Sequence, residues 1–221
     1  MRMLLSALFL LAPWRLRRLL LVSLFGYKIH PTSRIGLSII APERLEMGPG
    51  TRIGSLTMCK GISLLRMEER ASIGRLNWIT GFPAEDTRFF SADVGRRPEL
   101  IINRHAAITN RHIMDCTDSV QIGKFSIFAG FRSQLLTHSI DLNLSRQSAK
   151  PVSIGDYCFV GTGSIILAGS VLPDYSVLGA GSVLNKAYVD THFLYAGNPA
   201  KPVKALPQDT AYFLRRTGFV H

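Results

Sequence analysis

Six aliphatic residues in the last third of the chain are each separated by six positions: Ile154, Val160, Ile166, Leu172, Leu178 and Leu184. Gly155, Gly161 and Gly179 directly follow three of them. Cys158, Ser164, Ser170, Ser176 and Ser182, all small, stand four positions after the first five. An α-helix repeats near 3.6 residues and a single strand near 2, so neither element explains a period of six. A repeating unit of one short strand and one turn does, because stacked units bury their aliphatic positions in one continuous column.

The same beat runs through most of the chain. Ile29, Ile35, Ala41, Met47, Ile53, Cys59 and Leu65 are evenly spaced; after a two-residue slip Met67, Ile73 and Ile79 resume. Residues 80–99 lose the pattern. Ile102, Ile108 and Met114 restart it, a second slip follows, and Cys116, Ile122, Phe128 and Gln134 continue to a break at about 138–151. Roughly twenty-two hexads, at three per coil, predict about seven stacked coils. The expected fold is an all-β parallel β-helix over residues 29–204, interrupted by loops at 80–99 and 139–151. The spacing alone leaves the hand of the coil open.

Residues 1–28 form an apolar and basic segment predicted to be helical, divided by Pro13. Residues 205–221 form a tail with a short helix expected over 207–217, from Pro207 to just before Gly218. The apolar runs Leu4–Ala12 and Leu19–Phe25 are each shorter than the roughly 18–20 residues a membrane span needs. Arg15, Arg17 and Arg18 would lie at the costly centre of a single span. Two readings of residues 1–26 remain: a cap over the open end of the coil, or a helix in the membrane interface with its arginines toward anionic headgroups.

Composition narrows the choice of partner. The chain has 221 residues, 47% of them hydrophobic and 19% charged, which suits a packed domain and argues against disorder. A net charge of +11 points to an anionic partner. No helix-turn-helix, ribonucleoprotein or zinc signature accompanies it, so nucleic acid is not expected. Cys59, Cys116 and Cys158 all fall on positions for small or apolar residues, read as buried thiols of a reducing compartment. The expected location is the cytoplasm, at the inner face of the cytoplasmic membrane if residues 1–26 bind lipid.

The run from Ile154-Gly155-Asp156 to Gly179-Ala180-Gly181-Ser182-Val183-Leu184-Asn185-Lys186, followed by Gly197-Asn198-Pro199-Ala200-Lys201, resembles the hexapeptide-repeat O-acetyltransferases. These include galactoside and maltose acetyltransferases and those of polysaccharide loci. The match is strongest over residues 115–204. The resemblance implies a left-handed β-helix, a homotrimer, acetyl-CoA in the groove between neighbouring subunits, no metal, and a sugar or lipid-linked saccharide as acceptor.

It also assigns roles. His138, where the repeat gives way to a loop, matches the family's catalytic histidine; a base is needed because an alcohol is a poor nucleophile at neutral pH. Asn110 and Asp141 are the leading candidates to orient it, with Asp115 a third. Thr162 and Ala180 match positions beside the coenzyme's thioester arm. Asn185, Lys186, Lys201 and Lys204 are placed to meet its nucleotide end, the lysines as phosphate partners. Phe159 stands where the family often has tryptophan, walling the acceptor pocket. Arg88, Arg96 and Arg97 in the first insert suit an acidic acceptor. Two other functions fit the same scaffold. One is a non-catalytic trimeric assembly module. The other is a metal enzyme like the γ-class carbonic anhydrases, which needs three converging histidines from His30, His105, His112, His138, His192 and His221.

Overall fold

The computed structural model describes residues 2–93 and 95–220, the Thr87 side chain excepted. Among them, short strands sort into three parallel sheets, the three faces of a triangular coil. The first face runs from Lys28–Ile29 to Val171–Leu172 in seven strands, and the third from Ile39–Ala41 to Val183–Leu184 in seven. The second has nine, from Arg34–Ile35 to Val177–Leu178 plus a terminal hairpin, Phe193–Gly197 with Ala200–Ala205. Each strand pairs with its equivalent one coil away, as in Ile35 with Ile53 and Ile53 with Ile73.

The core is one column of aliphatic side chains along the axis. Its geometry explains the two slips in the beat. First-face strands turn two side chains inward, so Leu65 and Met67 are both buried, as are Val120 and Ile122. Two positions depart from a strict count of six: on the third face Ile40 and Leu135 point inward, where Ala41 and Gln134 were expected. A Leu or Ile one position away buries more apolar area than Ala or Gln would, and the strand shifts to use it.

The small residues at inner corners do more than save space. Ser33 Oγ donates to Gly48 O at 2.7 Å, Ser38 Oγ to Gly54 O at 2.6 Å and Ser126 Oγ to Gly155 O at 2.5 Å, so each hydroxyl ties one coil to the next. Gly54 is held for its close approach: a Cβ there would lie 2.5 Å from Gly74 O. At the outer turn between the first and second faces, His105, Phe125, Tyr157, Tyr175 and His192 all adopt left-handed backbone angles, φ from +55° to +60°. Their rings stack coil upon coil with centroids 4.7–5.3 Å apart. Stacking offsets the backbone cost of the left-handed region for bulky residues.

The N-terminal segment is helical, with α1 at Arg2–Leu8, a 3₁₀ turn at Phe9–Leu11 and α2 at Trp14–Phe25, and it lies over the first coil. Its arginines are used internally. Arg17 is buried and donates to Gly36 O and Ser38 O; Arg18 donates to Ile29 O, and Arg2 to Pro42 O and Glu43 O. These are carbonyls of the terminal coil that no further coil would satisfy. Of the three central arginines that the interface reading turned toward headgroups, only Arg15 is exposed. Among the described residues, no helix is long and apolar enough to cross a membrane.

Two local expectations change. The loop at 139–151 opens as an antiparallel hairpin, His138–Asp141 with Arg146–Ala149. The C-terminal helix expected over 207–217 is only α4, Ala211–Leu214 (α3 is Thr87–Phe90, in the first insert). Thr210, not Pro207, precedes its first turn. Beyond it the tail runs back along the aromatic stack, with Arg215 bonded to Phe125 O and its guanidinium carbon 3.7 Å from the Tyr212 ring centre.

Candidate active site

Both inserts leave the coil at the corner after the third face. The first departs after Thr80, the second after Leu136. Asp115 ends the strand between them, paired with Thr80 on one side and Leu136 on the other. Its carboxylate is the hub of the corner. Oδ2 accepts from Thr137 N at 3.0 Å, Thr137 Oγ1 at 2.9 Å, His138 N at 3.1 Å and His138 Nδ1 at 2.7 Å. Oδ1 accepts from Thr117 Oγ1 at 2.6 Å. Among the described residues, no hydrogen bond engages His138 Nε2.

The electrostatics follow from this geometry. Burial pushes the Asp115 pKa up, but hydrogen bonds from His138, Thr117 and Thr137 outweigh it and hold the carboxyl below its ordinary value. The hydrogen bond it donates to Asp115 raises the His138 pKa above the usual histidine value, against burial and the nearby Arg96 charge, which lower it. With Nδ1 committed to the carboxylate, the neutral imidazole carries its proton there and leaves Nε2 as the acceptor.

Asp115, not Asn110 or Asp141, therefore partners His138. Asn110 Oδ1 accepts from Arg75 N at 2.7 Å at the opposite corner of the third face. Asp141 lies in the projecting hairpin and caps its turn, accepting from Asn143 N and Leu144 N. The first insert supplies features that residue types did not announce. The rings of Phe82 and Phe90 stand edge-on to the imidazole, with centroids 5.6 and 6.0 Å away. Arg96 is buried; its guanidinium donates to Phe82 O, Pro83 O and Thr117 O and lies 4.1 Å from the Phe90 ring centre. It fixes the insert beside His138. Arg97 is exposed beside Glu99 at 3.7 Å, and Arg88 lies 5.2 Å from the Phe89 ring centre.

The other sequence candidates lie apart from His138. Thr162 and Ala180 sit at the corner where third-face strands begin, whereas His138 follows the end of one. Thr162 Oγ1 is committed to Phe131 O and N at 2.9 and 3.1 Å, and Ala180 is exposed. Asn185 and Lys186 are exposed just beyond Leu184, with Lys186 Nζ 5.2 Å from the Tyr188 ring centre. Lys201 and Lys204 are exposed on the terminal hairpin. Phe159 is on the second face, edge-on to Tyr212 at 6.0 Å. Among the described residues, no three His, Cys, Asp or Glu side chains form a metal-holding group, and His221 lies outside them. His112 is fully buried and bonded to Thr109 Oγ1 and Ser133 N.

No family model matches the chain. A Schizosaccharomyces pombe protein, C18B11.09c, provisionally named an acetyltransferase, is 33% identical over 76 residues. The match takes in 33% of this chain and 36% of that protein, so the chain spans little more than a third of the length of the curated relative it matches. Among solved structures, the polysialic acid O-acetyltransferase OatWY superposes with a TM-score of 0.62 at 18% identity, over 84% of this chain and 90% of its own. The hexapeptide-repeat acetyltransferase VCA0836 of Vibrio cholerae gives 0.52 at 22%, over 63% and 72%. The polysialic-acid-specific acetyltransferase NeuO gives 0.52 at 19%, over 84% and 86%. The fold is that of the hexapeptide-repeat acetyltransferases, a left-handed parallel β-helix.

Proposed function

We propose that the chain is an O-acetyltransferase that moves an acetyl group from acetyl-CoA to a hydroxyl of a sugar or lipid-linked saccharide. The observation that carries this is the Asp115–His138 pair at 2.7 Å, with Nε2 unengaged beside an aromatic wall. Nε2 takes the acceptor hydroxyl's proton as that oxygen attacks the thioester carbonyl, and gives it to the departing thiolate sulfur. Asp115 holds the Nδ1–H tautomer and stabilises the transient imidazolium. Phe82 and Phe90 limit water around the base.

Thr162 and Ala180 would line the thioester arm, offering small side chains and coil-edge backbone groups. Asn185, Lys186, Lys201 and Lys204 would meet the nucleotide end. Thr162 and Ala180 lie at the opposite end of third-face strands from His138, which favours a site completed between copies of a homotrimer. Phe159, on the second face, would wall the acceptor side from a neighbouring copy. The likeness to polysialic acid acetyltransferases, together with the basic surface, favours a saccharide acceptor. We place the protein in the cytoplasm, held to the inner membrane face by exposed leucines of residues 1–26. His138→Ala should lower acetyl transfer to saccharide mixtures at least about 100-fold while leaving CoA binding by calorimetry intact; retained turnover would reject His138 as the base.

A further inference from the structure

The second face carries a row of arginines that the proposed acetyl transfer leaves unused. Arg34 and Arg52 are directly paired in the parallel sheet and both point outward, exposed. Arg75 follows one coil on, exposed at the corner. Among the described residues none of the three side chains makes an ion pair with a carboxylate. Adjacent strands are only about 4.8 Å apart, so the two paired guanidiniums repel unless an anion lies between them. Together with Trp14 the three border a groove of about 470 Å³ floored by backbone at Gly36, Gly54 and Gly74.

Past Trp14, Ile35 and Gly36 the groove adjoins a hollow lined by Ala12 and Leu37. Trp14 opens α2 and packs partly onto the core. The helical turns before it expose Leu11 at 88%, Leu4 at 73% and Leu8 at 62%, and Leu37 is also exposed. A bare leucine surface, an indole at its border and a row of unpaired arginines beyond it match the layers of an anionic bilayer: acyl region, interface and phosphate. We propose that Arg34, Arg52 and Arg75 form a site for the phosphate groups of anionic lipid headgroups, which orients the docked protein with its second face tilted toward the bilayer. This rests on the membrane reading of residues 1–26 and adds to it a charge-selective contact outside that segment.

Sedimentation with phosphatidylcholine vesicles, alone or with about 30% anionic phospholipid, tests it. The expected result is strong binding only to the anionic vesicles. Each arginine lost near the surface weakens binding about fivefold, so R34Q/R52Q should reduce it roughly 25-fold. L8S/L11S should weaken binding to both vesicle types. Equal wild-type binding to both vesicles, or an undiminished R34Q/R52Q variant, overturns the arginine site and leaves the leucine contact standing. No sedimentation with either overturns both. Millimolar inorganic phosphate that binds in calorimetry, is lost in R34Q/R52Q and strips the protein from vesicles would assign the groove to a soluble phosphate ligand and overturn the lipid assignment.

Discussion

Asp115→Asn isolates the charge of the proposed dyad from its geometry. Four of the five donors around the carboxylate converge on Oδ2 and one, Thr117 Oγ1, reaches Oδ1 at 2.6 Å. An asparagine can place its carbonyl oxygen at the Oδ2 position and turn its NH₂ toward Thr117, whose hydroxyl can rotate to accept. The hydrogen bond from His138 Nδ1 and the tautomer are kept; only the negative charge is lost. A hydrogen bond to a charged group contributes about 1.5–3 kcal/mol, a neutral one about 1, so the variant loses about 1–2 kcal/mol of preference for the imidazolium. Because Asp115 raises the His138 pKa, the acid limb of kcat/KM in the wild type should lie above the ordinary histidine value of about 6.5. In the variant it should move down toward that value. The plateau should fall about tenfold or more, because the imidazolium formed in the transition state has lost its counter-ion. The pH profile of kcat/KM with an identified acceptor is the assay. A limb that stays in place while the plateau falls would refute the coupling and reduce Asp115 to a corner support.

Arg96→Lys replaces a planar fork that reaches three carbonyls with a single ammonium. It should loosen the first insert, raising the acceptor KM several-fold while leaving the acid limb of kcat/KM where it is; steady-state kinetics across pH would detect either departure. The buried His112 supplies a stability test, since burial lowers its pKa to about 4. The unfolded chain takes up that proton near pH 6.5, so stability should fall as pH drops from about 6.5 to 4, by about 3 kcal/mol, and flatten below. Urea unfolding across that range should show the loss in the wild type and a shallower slope in His112→Gln.

The coil was legible because its signal is local: each inward residue and each small corner residue is set by its own hexad. The misplacements at Ala41 and Gln134 arose where a larger neighbour could turn inward for one strand. The slips after Leu65 and before Cys116 reflect first-face strands with two inward positions, Leu65 with Met67 and Val120 with Ile122. The terminal hairpin from Phe193 breaks the beat of six, and its turn at Gly197-Asn198-Pro199-Ala200 carries no hexad signal. Lone arginines misled most. Arg17, Arg18 and Arg96 read as anion-seeking charges, yet each satisfies backbone carbonyls left open where the coil starts or an insert departs. No residue-type rule separates an arginine facing solvent from one closing a carbonyl ledge; only tertiary placement does.

The proposed base and its partner are separated by 23 positions for a reason visible in the register. In a parallel coil every strand's backbone bonds run to the coils above and below, so a loop can leave only at a corner and must re-enter in phase. Here two loops leave the same corner on the outer two of three successive coils, after Thr80 and after Leu136. The middle coil keeps its tight turn, and its last strand residue at that corner is Asp115. The carboxylate is thus anchored in the regular wall, while the imidazole it holds stands on the chain just as it departs. The second loop begins with Thr137 and His138, whose backbone N–H groups both turn back to Asp115. The first insert folds over the pair and is pinned to the middle coil through Arg96 and Thr117 O. Sequence distance between the partners then depends on how the intervening coil is wound, which is why proximity along the chain favoured Asp141. Position within the coil favours Asp115, the one carboxylate flanked by both exits.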